Sequence, residues 1–351
     1  MLAAVCHGKK DLRIERVEDR ALGAGEVRVA VVFGGICGSD MHYFHSGAVG
    51  DFKVREPLTL GHEVSGVVVE VGAEVTHLAP GMKAALDPSK PCLVCSYCRA
   101  GRSNLCSNMF FLGSAGRFPH VQGGFAQQLV LRQDQVIPVP EATDLLKLSV
   151  AEPLSVGLHA ASRAGPLVGK RVLVTGSGPI GLLTARAARH AGAMEVVATD
   201  IADRPLEVAR QYMGASHTVN VACDPQGLAR FEADGGYFDL AFEASGSAAA
   251  LASIFKVIRR GGRIVQVGML PAGTAPVPVN VLQSREIELV GAFRASDEFR
   301  LAVRLIIDGT IDVSPILSGT YPLFRAAEAL ELAPDRSRFV KLHLALQQGS
   351  A

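Results

Sequence analysis

With 351 residues, the chain exceeds the usual reach of one hydrophobic core, so two domains are expected. It is 48% apolar and 20% charged, the balance of a well-packed soluble protein, and its formal net charge of +1 excludes the electrostatic footprint of a nucleic-acid or anionic-membrane binder. No apolar run approaches the roughly 20 residues of a membrane helix, and Met1 to Val5 is too short for a signal-peptide core before Lys9 and Lys10, so a cytoplasmic globular protein is expected.

The first 150 or so residues are rich in short β-type runs and glycine turns. Val27–Val32 alternates apolar and polar residues as a half-buried strand does, and Val64–Val71 predicts another, closed by Gly72. Helical periodicity is scarce, so this part reads as an irregular β-rich domain. Cys37 stands alone in Gly35-Ile36-Cys37-Gly38-Ser39-Asp40, and Gly61-His62-Glu63 follows. Cys92, Cys95, Cys98 and Cys106 then crowd into one loop with C-x2-C-x2-C-x7-C spacing. Four thiolates close a metal completely, as a structural zinc requires, whereas a mixed Cys/His/Glu set leaves a position open for chemistry. Without a secretion signal, clustered thiols read as ligands rather than disulfides. A nucleic-acid-binding zinc ribbon is the rival for the same cysteines; the missing long separation between paired halves and the missing basic face argue against it. Cys6 and Cys223 are left over and read as ordinary small hydrophobes.

After Pro153 the texture changes to alternating strands and helices. Lys170–Thr175 predicts a buried strand, Gly176-Ser177-Gly178-Pro179-Ile180-Gly181 a turn, and Leu182–Ala191 a helix. Glu195–Asp200 is the next strand and Arg204–Met213 the next helix. Further strands are expected at Thr218–Val221, Phe238–Glu243, Gly262–Val267 and Ile287–Gly291, with a helix over Ala248–Arg259. That rhythm implies a parallel, doubly wound sheet. From about Phe293 the rhythm stops, and the tail is expected to return to the first domain. His159 lies in a helix-like segment, with a structural role open to it.

In a strand–turn–helix context, GxGxxG is a dinucleotide site: Gly176 permits the tight turn, Gly178 lets the backbone approach the pyrophosphate, and Gly181 allows close helix–strand packing. Asp200, ending the second strand, would accept hydrogen bonds from the adenosine ribose and repel a 2′-phosphate, which favours NAD+. Arg204 nearby could accommodate that phosphate, so NADP+ stays open.

Gly61-His62-Glu63-Val64-Ser65-Gly66, Gly72 and Val75 reproduce the GHE-x2-G-x5-G-x2-V signature of the zinc-containing medium-chain alcohol dehydrogenases. Together with Cys37, the cysteine loop and the GSGPIG turn, the resemblance covers essentially the whole chain. Ala151-Glu152-Pro153 resembles the polyol (sorbitol) dehydrogenase branch, which carries a glutamate where many relatives have a cysteine ligand. The resemblance implies a β-rich GroES-like catalytic domain over 1–153 and 294–351, and a Rossmann NAD-binding domain over 154–293. It implies two Zn2+ ions per chain, one structural and one catalytic. Cys37 and His62 would ligate the catalytic ion, with Glu63 and Glu152 sharing the carboxylate roles. It also implies hydride transfer from an alcohol to the nicotinamide ring. Ser39 would take the alcohol proton, His42 pass it to solvent, and Asp40 orient a ligating histidine. Cofactor contacts are expected at Pro179, Ile180, Val267-Gly268-Met269 and Ala292-Phe293-Arg294, and a homotetramer or dimer is the assembly implied.

For the substrate, Tyr43, Glu152 and Arg294 correspond to contacts of sorbitol dehydrogenases, but those enzymes follow the arginine with an aromatic residue where this chain has Ala295. The segment Phe110–Phe125 and Pro88-Ser89-Lys90-Pro91 instead resemble the L-idonate 5-dehydrogenases. A sugar acid needs a cationic partner, for which Arg294, Arg117 and His120 are candidates. A neutral polyol is the alternative substrate. A dinucleotide-binding zinc protein without turnover is the alternative from another class, disfavoured because the open ligand set is intact.

Overall fold

The computed structural model describes residues 1–347, which divide into two compact units. The first comprises Met1–Glu152, Phe299–Asp335 and the stretch from Lys341; the second comprises Pro153–Glu298 and Arg336–Val340. The sequence-based boundaries fall at 153/154 and 293/294. The short segment 294–298 groups with the second unit because Glu298 accepts hydrogen bonds from His159 Nδ1 at 2.9 Å and from the Ser296 backbone at 2.9 Å. The excursion Arg336–Val340 has no counterpart in the sequence reading.

In the first unit, the strand expected at Val27–Val32 runs over Glu26–Gly35 and is the spine of a seven-stranded sheet. Val27, Val29 and Val31 are fully buried, while Arg28 between them reaches out to Glu70 at 3.1 Å, so the alternation read from sequence is the pleat itself. The sheet runs Val136–Pro138, Lys83–Leu86, Glu63–Val71, Glu26–Gly35, Lys341–Ala345, Leu317–Pro322, with Gln128–Arg132 also paired to the spine. Sequence pattern found only two of these strands. Lys83–Leu86 and Val136–Pro138 are short, and Lys341–Ala345 is buried on both faces, which leaves no alternation to read. One register matters for function: Gly35 stands opposite both Glu63 and His343, so three strands converge where Cys37 follows.

The second unit is a six-stranded parallel sheet ordered His217–Asn220, Glu195–Asp200, Arg171–Thr175, Phe238–Glu243, Ile258–Gln266, Glu288–Gly291. Its central strands are apolar runs rather than alternations: Val172, Leu173, Val174 and Val196, Val197, Ala198 are all buried, as parallel strands covered on both faces must be. Helices cover Pro179–His190, Asp203–Tyr212 and Ala248–Val257. The helix expected to reach Arg259 stops at Val257, because Ile258 turns extended (φ −75°, ψ 133°) and begins the next strand directly. Among the described residues, no helix is long and apolar enough to cross a membrane. Of the leftover cysteines, Cys6 is buried as expected, but Cys223 is exposed and packs in no core.

Phe238 is fully buried in the core of this sheet, 4.8 Å from the Phe231 ring and 5.2 Å from Tyr237. Phe238→Ala is therefore expected to destabilise the second unit by about 3–5 kcal/mol, read as a lowered first transition in calorimetry. An unmoved transition would mean the aromatic cluster does not hold the sheet.

Candidate active site

Cys37 leaves the spine strand and caps the helix Gly38–Ser46. Asp40, wholly buried in that helix, ties the site together: its Oδ2 accepts from the Cys37 backbone at 3.0 Å and its Oδ1 from the Gly61 backbone at 2.9 Å. His62 follows Gly61, and its Nδ1 lies 3.9 Å from Asp40 Oδ1, so Asp40 reaches the ring by charge across more than a hydrogen-bond length. The ligand atoms of Cys37, His62 and Glu63 all lie within 4.8 Å of one another. Glu152, buried at the start of the helix Ala151–Ala164, stands outside that trio but near enough for its charge to act on His62.

Glu63 owes its position to two residues that pattern reading did not single out. Gly35 faces it without a side chain; a Cβ there would meet the Glu63 carboxylate at 2.2 Å. On its other side is the buried ammonium of Lys341, which ion-pairs with Glu63 and donates to the Ile36 carbonyl at 3.1 Å. The one clue to Lys341 in the sequence is a lone cation inside the apolar run Val340–Leu346. Burial works against the lysine's charge, but Glu63 and Cys37 outweigh it and hold its pKa above the usual value.

The cluster's electrostatics ask for a cation. Burial disfavours a charged His62, yet the charges of Cys37 and Asp40 overcome it and raise its pKa from 6.5 to about 10. Burial lifts Glu152 from 4.5 to about 7, opposed by His62 and reinforced by Glu63. A thiolate, an imidazole and a carboxylate at this spacing are the donors of an open zinc site, able to sit about 2.0–2.3 Å from one shared ion. His62 turns its Nδ1 toward Asp40 and its other ring nitrogen toward Cys37, the orientation in which that nitrogen can serve as a metal donor. The residues therefore fit a metal.

The relay candidates occupy one helix: Ser39 is half-buried and His42, one turn on, is exposed. Tyr43 is buried, and its hydroxyl accepts from the Ala115 backbone at 3.0 Å. His120 Nε2 accepts from the Arg55 backbone at 2.9 Å, and its Nδ1 donates to the Arg117 carbonyl at 2.8 Å. Both ring nitrogens of His120 are thereby used in holding the loop. Arg117 donates to Asn108 at 2.8 Å and lies 4.0 Å from the Phe110 ring centre. Phe111, next along, brings its ring within 5.4 Å of His62 and forms a wall of the site.

The sulfurs of Cys92, Cys95, Cys98 and Cys106 also lie within 4.8 Å of one another. Backbone N–H groups of Val94 and Cys95 lower Cys92, and those of Cys98 and Ser107 bring Cys95 down to about 5, while desolvation pushes Cys98 up to about 12. Some of these thiols are thus poised as thiolates, the form that binds metal.

In the second unit, Gly176 (φ +83°) makes the turn, and a Cβ on Gly181 would strike the Gly176 carbonyl at 1.8 Å. Gly178 caps the helix that begins at Pro179 and Ile180, pointing free N–H groups outward. Asp200 accepts from the Ser177, Ile201 and Ala202 backbones at 2.6, 2.8 and 3.1 Å. Arg204 faces solvent and pairs with Glu207 at 3.4 Å, so it does not reach Asp200's partners. Arg336, absent from the sequence reading, comes within 3.9 Å of Asp200 instead. Val267 and Gly268 both donate to the Glu243 carbonyl at 2.8 Å, Met269 is exposed, and Ala292 donates to Gln266 at 2.9 Å. Phe293 is exposed, with the Arg294 guanidinium 4.9 Å from its ring and Arg294 itself left-handed (φ +56°). All these segments sit at carboxyl ends of parallel strands, where dinucleotides bind. A cavity of about 590 Å³ opens beside Gly176, Gly178, Asp200 and Arg336.

Residues 23–141 match the family model of the alcohol dehydrogenase GroES-like domain, and residues 179–308 that of the zinc-binding dehydrogenases. Among curated proteins, L-idonate 5-dehydrogenase (NAD(P)(+)) of Escherichia coli is 42% identical, with 90% of each chain covered. Sorbitol dehydrogenase of Bacillus subtilis is 34% identical, over 95% of this chain and 93% of its own. The crystal structure of L-idonate 5-dehydrogenase from Escherichia coli K-12 superposes with a TM-score of 0.92 at 39% identity, covering 98% of this chain and 97% of that one.

The metal-free protein is expected to lose stability, relative to its zinc-loaded form, as pH rises from about 5 to about 9. Glu152 keeps a proton that the unfolded chain releases near 4.5, and that contribution disappears as pH passes about 7. His62 contributes fully below 6.5 and loses its contribution on the way to about 10. Zinc replaces these protons, so the gap in melting temperature between loaded and chelated protein should widen with pH. A gap that narrows over that range would contradict the assignment.

Proposed function

The chain belongs to the zinc-binding alcohol dehydrogenase family, and on that premise we propose that it oxidises a secondary hydroxyl of a sugar acid, foremost L-idonate to 5-keto-D-gluconate, with NAD+ or NADP+ as hydride acceptor. The observation that carries this reading is the cluster of half-buried Cys37 with buried His62 and Glu63 in a chain 42% identical to an L-idonate 5-dehydrogenase. Two zinc ions per chain are proposed, one at this cluster and one at Cys92, Cys95, Cys98 and Cys106.

When bound, zinc lowers the pKa of an alcohol and the nicotinamide ring accepts hydride. The chain's own residues do the rest. Cys37 and His62 would hold the metal, and Asp40 fixes both of their segments through backbone hydrogen bonds. Glu63 supplies a carboxylate held by Lys341, while Glu152 offers a second, more proton-loving one across the site. Ser39 accepts the alcohol proton, and His42, exposed one helical turn away, delivers it to water. Phe111 keeps water from the face of His62. Gly176, Gly178 and Gly181 receive the pyrophosphate, and Asp200 the adenosine ribose. Arg294 and Arg117 are the cations proposed to meet the substrate carboxylate; Arg117 donates to Asn108 and lies over Phe110, and Arg294 lies over Phe293.

A sorbitol- or xylitol-type polyol is the second reading, supported by the 34% identity to a sorbitol dehydrogenase. An assay of L-idonate, sorbitol and xylitol with each cofactor should give the highest kcat/KM on L-idonate; a higher value on a neutral polyol would transfer the assignment. Cys37→Ser is expected to cut turnover by about 10³-fold or more while NADH binding, followed by fluorescence, persists. Undiminished turnover in that variant would remove the metal from the reaction.

A further inference from the structure

Arg336 belongs to the five-residue excursion Arg336–Val340 that groups with the dinucleotide unit. Its Nε and Nη2 are buried and have no hydrogen-bond partner. Its nearest acid is Asp200, 3.9 Å from Nη2, which is too far for a hydrogen bond. On the other side, Nη1 lies over the glycine turn, where a Cβ on Gly178 would stand 3.1 Å from it. A guanidinium carries five N–H donors in a fixed fork; the side chain is 33% exposed, but the donors on Nε and Nη2 have neither water nor a partner among the described residues, which is costly. The fork lines the same cavity as Gly176, Gly178 and Asp200. It is a cation waiting for an anion with several acceptor oxygens.

We infer that Arg336 is the residue that admits NADP+, its guanidinium pairing with the 2′-phosphate of the adenosine ribose. The charge arrangement at Asp200 supports this. A carboxylate at the end of the second strand normally repels a 2′-phosphate, but both oxygens of Asp200 already take backbone N–H groups, from Ser177, Ile201 and Ala202. Those donors and the adjacent guanidinium offset its charge, so the corner that would exclude the phosphate is close to neutral. Arg204, the cation expected to serve here, lies on the surface beside Glu207, whereas the guanidinium of Arg336 lines the cavity itself. With no 2′-phosphate, the Asp200 carboxylate still faces the ribose hydroxyls, so one pocket serves either cofactor. The inference rests on reading this unit as a nicotinamide-dinucleotide site.

The test is direct titration of the full-length, zinc-loaded protein with NADH and NADPH by nicotinamide fluorescence, without substrate, for the wild type, Arg336→Gln and Arg336→Lys. Loss of a charge-assisted pair predicts that Arg336→Gln weakens NADPH by about 10- to 100-fold more than it weakens NADH. Arg336→Lys, which keeps the charge but not the fork, should recover part of that loss. Retained NADH binding in the glutamine variant shows that its fold is intact. Equal weakening of both cofactors would assign the guanidinium to the shared pyrophosphate and overturn the inference. So would no weakening of either. A wild type that binds neither dinucleotide would instead sink the underlying reading of the unit.

Discussion

The first unit is organised around the need to keep several buried charges in balance. Asp40, Glu63 and Glu152 are carboxyl groups with almost no access to water, gathered near a thiol and an imidazole. Burying such groups without compensation costs several kcal/mol apiece. The fold compensates them with a buried ammonium, with backbone N–H groups aimed at Asp40, and with protons that His62 and Glu152 hold beyond their usual range. A divalent ion satisfies the same need and leaves a coordination position open. The sheet register exists in service of this: Gly35 lacks a side chain because Glu63 fills the space opposite it.

Parts of the site that were legible in the sequence are those written within a short span. Cys92 to Cys106 and Gly61-His62-Glu63 declare their chemistry by spacing, and the GSGPIG turn does so by following one strand and opening one helix. Lys341 and Arg336 escaped because their partners lie far along the chain, and only the folded sheet brings Lys341 to Glu63 or Arg336 to Asp200. Arg204 is close in sequence to Asp200, and its side chain lies on the surface beside Glu207. The fold was read best where strands were wholly apolar or cleanly alternating, as in Arg171–Thr175 and Glu26–Gly35. It was read least well where strands are short or buried on both faces without a helix to follow, as in Lys83–Leu86 and Lys341–Ala345.

The segment after the last clustered cysteine acts through shape more than charge. His120 spends its ring nitrogens on the Arg55 amide and the Arg117 carbonyl, Tyr43 receives the Ala115 amide, and Arg117 rests on Phe110. These contacts fix a loop whose path delivers Phe111 to the side of His62. Phe110–Phe111 is also paired to Ser89–Lys90, the strand just before the four-cysteine loop. The four-thiol cluster and His62 are thus joined by a few residues of paired backbone, which gives a physical reason for the two clusters to sit near each other.

The strand carrying Lys341 lies inside the sheet, between Glu26–Gly35 and Leu317–Pro322, and follows both of them in sequence. While a ribosome is still making it, the edge of Glu26–Gly35 that will receive it is bare, and Glu63 has no buried counter-ion. A nascent chain of this protein therefore carries its cysteine and histidine long before it can bury the neighbouring carboxylate cheaply. Docking of this strand covers the bare flank of Glu26–Gly35 and neutralises Glu63 in one event. The order of synthesis thereby couples pairing of this strand to burial of the Glu63 charge, so both would be lost together in a chain truncated before Lys341.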